Sequence, residues 1–126
     1  MKRRNIIAAL IVFVVIILLL FCCKKEEPIT EFSTENWKSV ERKQRYHMLD
    51  DLIAEVELVG MTADEVEQLL GECSIRCEAY WSDMGKCDYH WGYWVRYDSW
   101  YGDEYLLINF KDDKVVGYEL EYGSEL

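Results

Sequence analysis

The sequence predicts an α+β domain that follows an N-terminal membrane helix or signal. Three observations indicate this fold class: an apolar run from Ile6 to Cys23, a helical pattern after it, and strand-like alternation in the C-terminal part. A chain of 126 residues has room for one domain beside a targeting segment. We therefore expect a membrane anchor or lipoprotein signal over 1–23, a linker over 24–31, and a folded domain over 32–126.

The N-terminal segment has the composition of a membrane helix. Lys2, Arg3 and Arg4 precede the apolar run, which contains no charge and no proline. As a helix the run would be about 27 Å long, close to the roughly 30 Å of a hydrocarbon core. The leading cations favour a cytoplasmic N-terminus, so we expect the domain on the extracytoplasmic side.

Two interpretations of this segment stay open. The first is an uncleaved signal anchor, and the second is a lipoprotein signal that is cleaved before Cys22 or Cys23, with Cys23 the more favoured lipid attachment site. Small residues usually precede such a cleavage site, whereas Phe21 stands here. Phe21 therefore favours the anchor, and both interpretations keep the protein at a membrane.

The part of the chain after the apolar run is acidic. Without the three leading cations, 11 Lys and Arg stand against 24 Asp and Glu, a formal net charge of −13. Nucleic acid is excluded as a partner because such a surface repels phosphates and releases no counterions. Anionic headgroups are repelled too, so we expect the N-terminal segment to provide the membrane attachment.

Two helices are predicted ahead of the strands. From Glu35 the apolar residues fall largely on one stripe, which indicates one long amphipathic helix or two with a break near Gln44. The second helix starts at a capping box, in which Thr62 accepts from the backbone of Glu65 and the Glu65 carboxylate accepts from the backbone of Thr62. Gly71 then ends the helix in a left-handed conformation.

Three strands are predicted after the helices. They cover Tyr89–Tyr97, Leu106–Phe110 and Val116–Tyr122, and the turn Lys111–Lys114 joins the last two. Consecutive strands of this kind form an antiparallel meander. Two helices covering its apolar face give a two-layer domain in the order α-α-β-β-β.

One segment resembles a known family. Gly60–Gly71, with the sequence GMTADEVEQLLG, is similar to the signature of the SmpA/OmlA domain family, which includes the BamE-type lipoproteins of outer-membrane assembly. Phe32–Lys38, Leu106–Lys111 and Val115–Val116 resemble a subgroup of small, uncharacterised bacterial lipoproteins with this domain. The resemblance covers roughly residues 32–122. It implies an α-α-β-β-β fold similar to that of the β-lactamase inhibitor protein, which serves protein contacts.

Three cysteines lie outside the apolar run, at Cys73, Cys77 and Cys87. In an oxidising compartment we expect one disulfide among them, and Cys77 with Cys87 is the favoured pair. A zinc site from these three thiols and His90 is the alternative. Its spacing matches no common zinc motif, so no metal is expected.

Aromatic residues are dense between Tyr80 and Tyr105. Most are explained by packing under the helices, but Trp94, Trp100 and Tyr101 do not fit the inward face. These three are the candidate binding surface, since Trp and Tyr often anchor partners.

Catalytic residues are not indicated by any pattern in the sequence. It has two histidines, no serine in a nucleophile-elbow context, and glycines too scattered for a phosphate loop. We therefore expect no enzyme, no catalytic residue and no cofactor. The predicted function is a membrane-anchored interaction or scaffold domain of the bacterial cell envelope with an envelope protein as partner. The alternative is a ligand- or glycan-binding module that uses the aromatic sheet, and a zinc or thiol enzyme is a third, weaker class.

Overall fold

The computed structural model describes residues 2–22, 26–78 and 86–123. It contains an N-terminal apolar helix and a unit of short helices packed on a sheet. The elements are α1 (Lys2–Cys22), α2 (Thr34–Ser39), a 3₁₀-helix (Arg42–Met48), α3 (Leu49–Glu55), α4 (Ala63–Leu70), β1 (Ile75–Glu78), β2 (Tyr89–Asp98), β3 (Gly102–Lys111) and β4 (Lys114–Tyr122).

Helix α1 is the helix that the apolar run predicts. Its segment Arg3–Cys22 is long and apolar enough to cross a membrane, and none of it is buried against the rest of the protein. A cleavable signal near an N-terminus has the same properties, so both interpretations of this segment remain open.

The first predicted helix is broken into three pieces, which corrects the expectation of one or two. Helix α2 ends because Val40 adopts an extended conformation, with ψ of 157°. The Ser39 hydroxyl donates to the carbonyl of Asn36 at 3.0 Å, a local bond that competes with helix continuation. The 3₁₀-helix then runs directly into α3.

Helix α4 confirms the predicted capping box and stop. The Thr62 hydroxyl accepts from the Glu65 amide at 3.2 Å, and the Glu65 carboxylate accepts from the Thr62 amide at 2.8 Å. Gly71 follows with φ of 76° and ψ of −163°. Essentially only glycine adopts this backbone conformation, but it is not the left-handed helical conformation that we expected. The Gly71 carbonyl accepts from the Tyr93 hydroxyl at 2.9 Å, which joins the helix end to the sheet.

The described residues form a four-stranded antiparallel sheet in the order β1-β2-β3-β4, where the sequence predicted three strands. The meander β2-β3-β4 is confirmed, and β1 is the strand that the prediction missed. Ile75 of β1 lies over Gly92 of β2, where an added Cβ would come within 2.5 Å of the isoleucine side chain. Strand β1 has only four residues, in which Ile75 and Cys77 alternate with the charged Arg76 and Glu78. So short a segment gives little indication of a strand in the sequence.

The core lies between the short helices and one face of the sheet. Trp37 is fully buried and contacts Tyr93 edge-on, with ring centroids 6.3 Å apart. The other core residues are at most 8% exposed; they are Met48, Leu49, Leu52, Leu58, Val66, Leu70, Trp91, Val95, Leu106, Ile108, Phe110 and Val115. Alternation along β2 predicts an inward position for Tyr89, Trp91, Tyr93 and Tyr97. The first three pack in or against the core, whereas Tyr97 is exposed.

Candidate interaction surfaces

An exposed aromatic cluster lies at the β2–β3 turn. Tyr97, Trp100 and Tyr101 are 63%, 90% and 65% exposed, which are high values for such large side chains. We call these three residues the aromatic tip. Two of them, Trp100 and Tyr101, belong to the binding surface that the sequence predicts.

The aromatic tip is held by its own turn. The Asp98 carboxylate accepts from the backbone amides of Trp100 and Tyr101 at 2.8 and 3.1 Å, and these bonds lower the pKa of Asp98. The Tyr101 ring also packs on Tyr122 of β4 at 5.1 Å between centroids. The exposed rings are therefore presented by a fixed turn, which lowers the entropy lost when they bind.

A partly buried ion pair between Arg96 and Glu104 lies at the base of the aromatic tip. Glu104 is 4% exposed and accepts a hydrogen bond from Arg96, whose guanidinium lies 4.0 Å from the ring centroid of Tyr46 in the 3₁₀-helix. Arg96 thus joins strand β2 to strand β3 and to the helical layer.

A β-bulge explains why Tyr97 is exposed. The β2–β3 register shifts between Trp94 and Arg96, which leaves Val95 as an extra residue. An extra residue reverses the inward and outward faces of the strand beyond it. Arg96 therefore turns toward Tyr46 of the 3₁₀-helix, and Tyr97 is left exposed at the rim of a cleft beside that helix, whereas simple alternation predicts an inward position for Tyr97.

Trp94, the third residue of the predicted binding surface, is partly buried and does not belong to the exposed aromatic tip. It lies on the sheet face away from the helices, opposite Tyr105. Its indole N–H donates to the Arg96 carbonyl at 2.9 Å, which helps to close the bulge. We infer a local structural role for Trp94.

The outer edge of β4 is a second uncovered surface. Near its start, Val115 exchanges backbone hydrogen bonds with Gly60 and Met61, both at 2.8 Å. Beyond that point, no strand among the described residues pairs with the outer side of β4. Val116 and Leu120 on this strand are 47% and 45% exposed. The sequence analysis did not single out this edge, because an edge position depends on sheet order.

The predicted disulfide between Cys77 and Cys87 is absent, and none of the described cysteines is in a disulfide. In the β1–β2 register Cys77 lies opposite His90, and Cys87 lies before the start of β2 with its sulfur 3.6 Å from Nε2 of His90.

The thiol of Cys87 contacts the ring of His90, and a cysteine beside a histidine can be a nucleophile with its base. The geometry of the contact shows whether the two groups are arranged in that way. The sulfur lies 3.6 Å from Nε2 and 3.8 Å from Nδ1 of the ring, and Nδ1 also contacts the Asn109 side-chain oxygen at 2.7 Å. If the thiol donated a hydrogen bond along the lone pair of one ring nitrogen, the sulfur would lie clearly farther from the other ring nitrogen. The nearly equal distances place the sulfur against the ring face, which is a packing contact rather than the alignment of a nucleophile and its base.

The remaining site predictions concern metal and lipid. Among residues 2–22, 26–78 and 86–123, no group of three or more His, Cys, Asp and Glu side chains is arranged to hold a metal ion. Cys73 instead accepts a hydrogen bond from Arg76 Nε at 3.2 Å. Cys23, the favoured lipid attachment site, lies outside the described residues.

Comparison with known proteins finds no relative. No protein-family model, curated protein or solved structure matches the chain. The resemblance of Gly60–Gly71 to the SmpA/OmlA signature therefore stays a prediction.

Proposed function

We propose that this protein is a membrane-anchored, extracytoplasmic interaction or scaffold domain of the bacterial cell envelope, without catalytic activity. The observation that carries the proposal is the uncovered outer edge of β4. This edge belongs to a domain that follows an exposed apolar helix. The domain offers exposed surfaces for contact, which support an interaction function: the outer edge of β4 carries Val116 and Leu120, and the β2–β3 turn carries Trp100.

The anchor accounts for the membrane location. The apolar helix begins after Lys2, Arg3 and Arg4, and cations at this end favour the cytoplasmic side for the N-terminus. The domain would then face the periplasm or the cell surface. Lipidation at Cys23 after cleavage gives the same location by a different attachment.

The β4 edge suits an extended segment of an envelope protein. An open edge strand provides backbone donors and acceptors for one more strand, and exposed side chains beside it select the sequence. Val116 and Leu120 would receive apolar residues, and Glu119 lies on the same strand. Since the exterior part carries a formal net charge of −13, we expect the partner segment to be basic.

A photocrosslinking amino acid in native membranes tests this contact. Placed at Leu120, it should give a discrete crosslinked protein. Ile53 is the matched control, because it is also apolar and 43% exposed but belongs to helix α3 and not to the sheet. The crosslink from position 120 should also disappear when Val116→Lys is added, because charged edge residues oppose strand addition. Equal products from Leu120 and Ile53 would contradict the proposed edge contact.

Binding of a small ligand or glycan is the second candidate, and the aromatic tip favours it. Exposed Trp and Tyr rings can stack on sugars, and Trp100 is 90% exposed. Retention of the full chain on immobilised cell-wall glycan, lost in Trp100→Ala, would support this function. Equal retention of the two proteins would count against it.

A further inference from the structure

The point where the chain leaves the membrane lies close to the domain. Cys22 ends the apolar helix, and Glu26 is the next described residue. The four intervening links span at most about 14 Å even when fully extended. This limit holds for a spanning helix and also for a lipid on Cys23, because both attach the chain at the same place.

Two neighbouring clefts connect the linker to Tyr97, the first residue of the aromatic tip. Glu26, Glu27, Pro28 and Ile29 line a cleft of about 390 Å³ together with Lys43 and Gln44. The same Lys43 and Gln44 line a neighbouring cleft of about 410 Å³ that also contains Arg96 and Tyr97. We call the surface from the linker across the 3₁₀-helix to Tyr97 the linker-side face. Trp100 and Tyr101 follow Tyr97 within four residues in the same turn.

The linker-side face carries a modest excess of negative charge. The two clefts are lined by Glu26, Glu27 and Glu41 against Lys43 and Arg96, and Asp98 adds a carboxylate in the turn of the aromatic tip. Lys43 pairs with Glu41 at 3.0 Å, and Arg96 pairs with Glu104. Because salt screens such exposed charges, we expect contact with an uncharged bilayer surface to depend on the aromatic rings.

Trp and Tyr are the side chains that prefer the boundary between lipid and water. Each combines an apolar ring with a polar N–H or O–H, and both are enriched at the headgroup level of membranes. The aromatic tip presents three such rings on a fixed turn, beside a linker that leaves the membrane within a few residues.

We propose that the aromatic tip rests in the headgroup layer of the membrane to which the chain is anchored, so that the linker-side face meets the bilayer. This inference rests on the membrane anchor of the proposed function and adds the orientation of the domain. It leaves the β4 edge available for the protein partner.

Tryptophan quenching in vesicles tests the contact. The full chain is reconstituted in phosphatidylcholine vesicles that contain brominated phosphatidylcholine, whose bromine lies in the acyl chain near the headgroups. The chain has five tryptophans, so contact of Trp100 should cost about a fifth of the emission, a loss absent from Trp100→Phe. Iodide in the water should quench Trp100 in the same vesicles weakly.

A matched control moves the indole to the opposite end of the sheet. Val116 lies near the β3–β4 turn, and the ten residues of β3 separate the two ends by about 33 Å. The double variant Trp100→Phe/Val116→Trp should be quenched by iodide and lose no more emission to the brominated lipid than Trp100→Phe. Because Trp100 is 90% exposed, its replacement should leave the fold unchanged, which near-ultraviolet circular dichroism checks.

Two outcomes would overturn the inference. In the first, the brominated lipid quenches wild type and Trp100→Phe equally while iodide reaches Trp100 in the vesicles. In the second, Trp100 is shielded from iodide in native membranes but not in pure lipid vesicles, which assigns the aromatic tip to a protein partner. Neither outcome affects the crosslink from Leu120, so failure of this inference is distinguishable from failure of the proposed function.

Discussion

Removal of the Thr62 hydroxyl tests the local chemistry that starts α4. In Thr62→Ala the Glu65 amide loses its 3.2 Å acceptor, while the Glu65 carboxylate can still accept from the backbone of residue 62. One of the two capping-box bonds is therefore lost. Loss of such an N-cap costs about 1 kcal/mol of unfolding free energy. For a domain of this size that corresponds to a fall of about 4 to 8 °C in Tm.

The assay is a thermal melt of the full chain in detergent, followed by near-ultraviolet circular dichroism of the buried aromatic residues. Thr62→Ser is the matched control, because it keeps the hydroxyl and should melt close to wild type. Glu65→Gln keeps a side-chain oxygen and should lose less than Thr62→Ala. If Thr62→Ala and Thr62→Ser melt at the same temperature as wild type, the capping box contributes nothing and the reasoning is wrong.

Three further predictions concern the ion pair, an alkaline titration and the anchor. Arg96→Leu should lower the free energy of unfolding in denaturant melts by about 2 kcal/mol, less than the loss of a fully buried pair would cost, because the arginine side chain is 32% exposed. Adding Glu104→Leu to this variant should restore part of the lost stability, because the buried carboxylate is then no longer left without its partner. Burial and a hydrogen bond to a carboxylate raise the pKa of Tyr89 to about 12. Its contribution to stability is thus complete below about pH 10 and is lost as the pH rises to about 12, a loss that should shrink in Tyr89→Phe. Replacement of both Cys22 and Cys23 by serine should leave the protein in the membrane fraction, with the intact mass of the uncleaved chain. Release of this variant from membranes, or accumulation of a longer precursor, would indicate lipidation instead.

Local rules predicted the parts of the fold that depend on neighbouring residues. The start of α4 depends on Thr62 and Glu65, three positions apart, and both bonds are present. The β3–β4 turn was predicted from Lys111–Lys114, and the structure places Asp112 and Asp113 there with φ of 51° and 60°. Such positive values at both central residues are typical of a type I′ hairpin turn.

Features that depend on distant contacts were not predictable. Strand β1 is recognisable only by its pairing with β2, since its four residues carry no distinct pattern. The bulge at Val95 depends on Arg96 reaching Glu104 and Tyr46, which come from β3 and the 3₁₀-helix. Of the three aromatic residues in the predicted binding surface, Trp100 and Tyr101 are highly exposed and Trp94 is partly buried, and the exposure of Tyr97 was not expected.

Net charge describes the whole domain, whereas the membrane contact that we propose depends on the charges of one face. From the formal charge of −13, the sequence analysis concluded that only the N-terminal segment attaches to the membrane. Repulsion between exposed charges falls off within about 10 Å at moderate salt, so the charges near the contact decide the sign of the interaction. The two clefts of the linker-side face are lined by Glu26, Glu27 and Glu41 against Lys43 and Arg96, and Asp98 lies in the turn of the aromatic tip. If the aromatic tip rests on the bilayer, its quenching by brominated lipid should change little when salt is raised, because ring burial at the interface does not depend on ionic strength. Strong salt dependence would mean that charge, and not the aromatic rings, holds this face at the membrane.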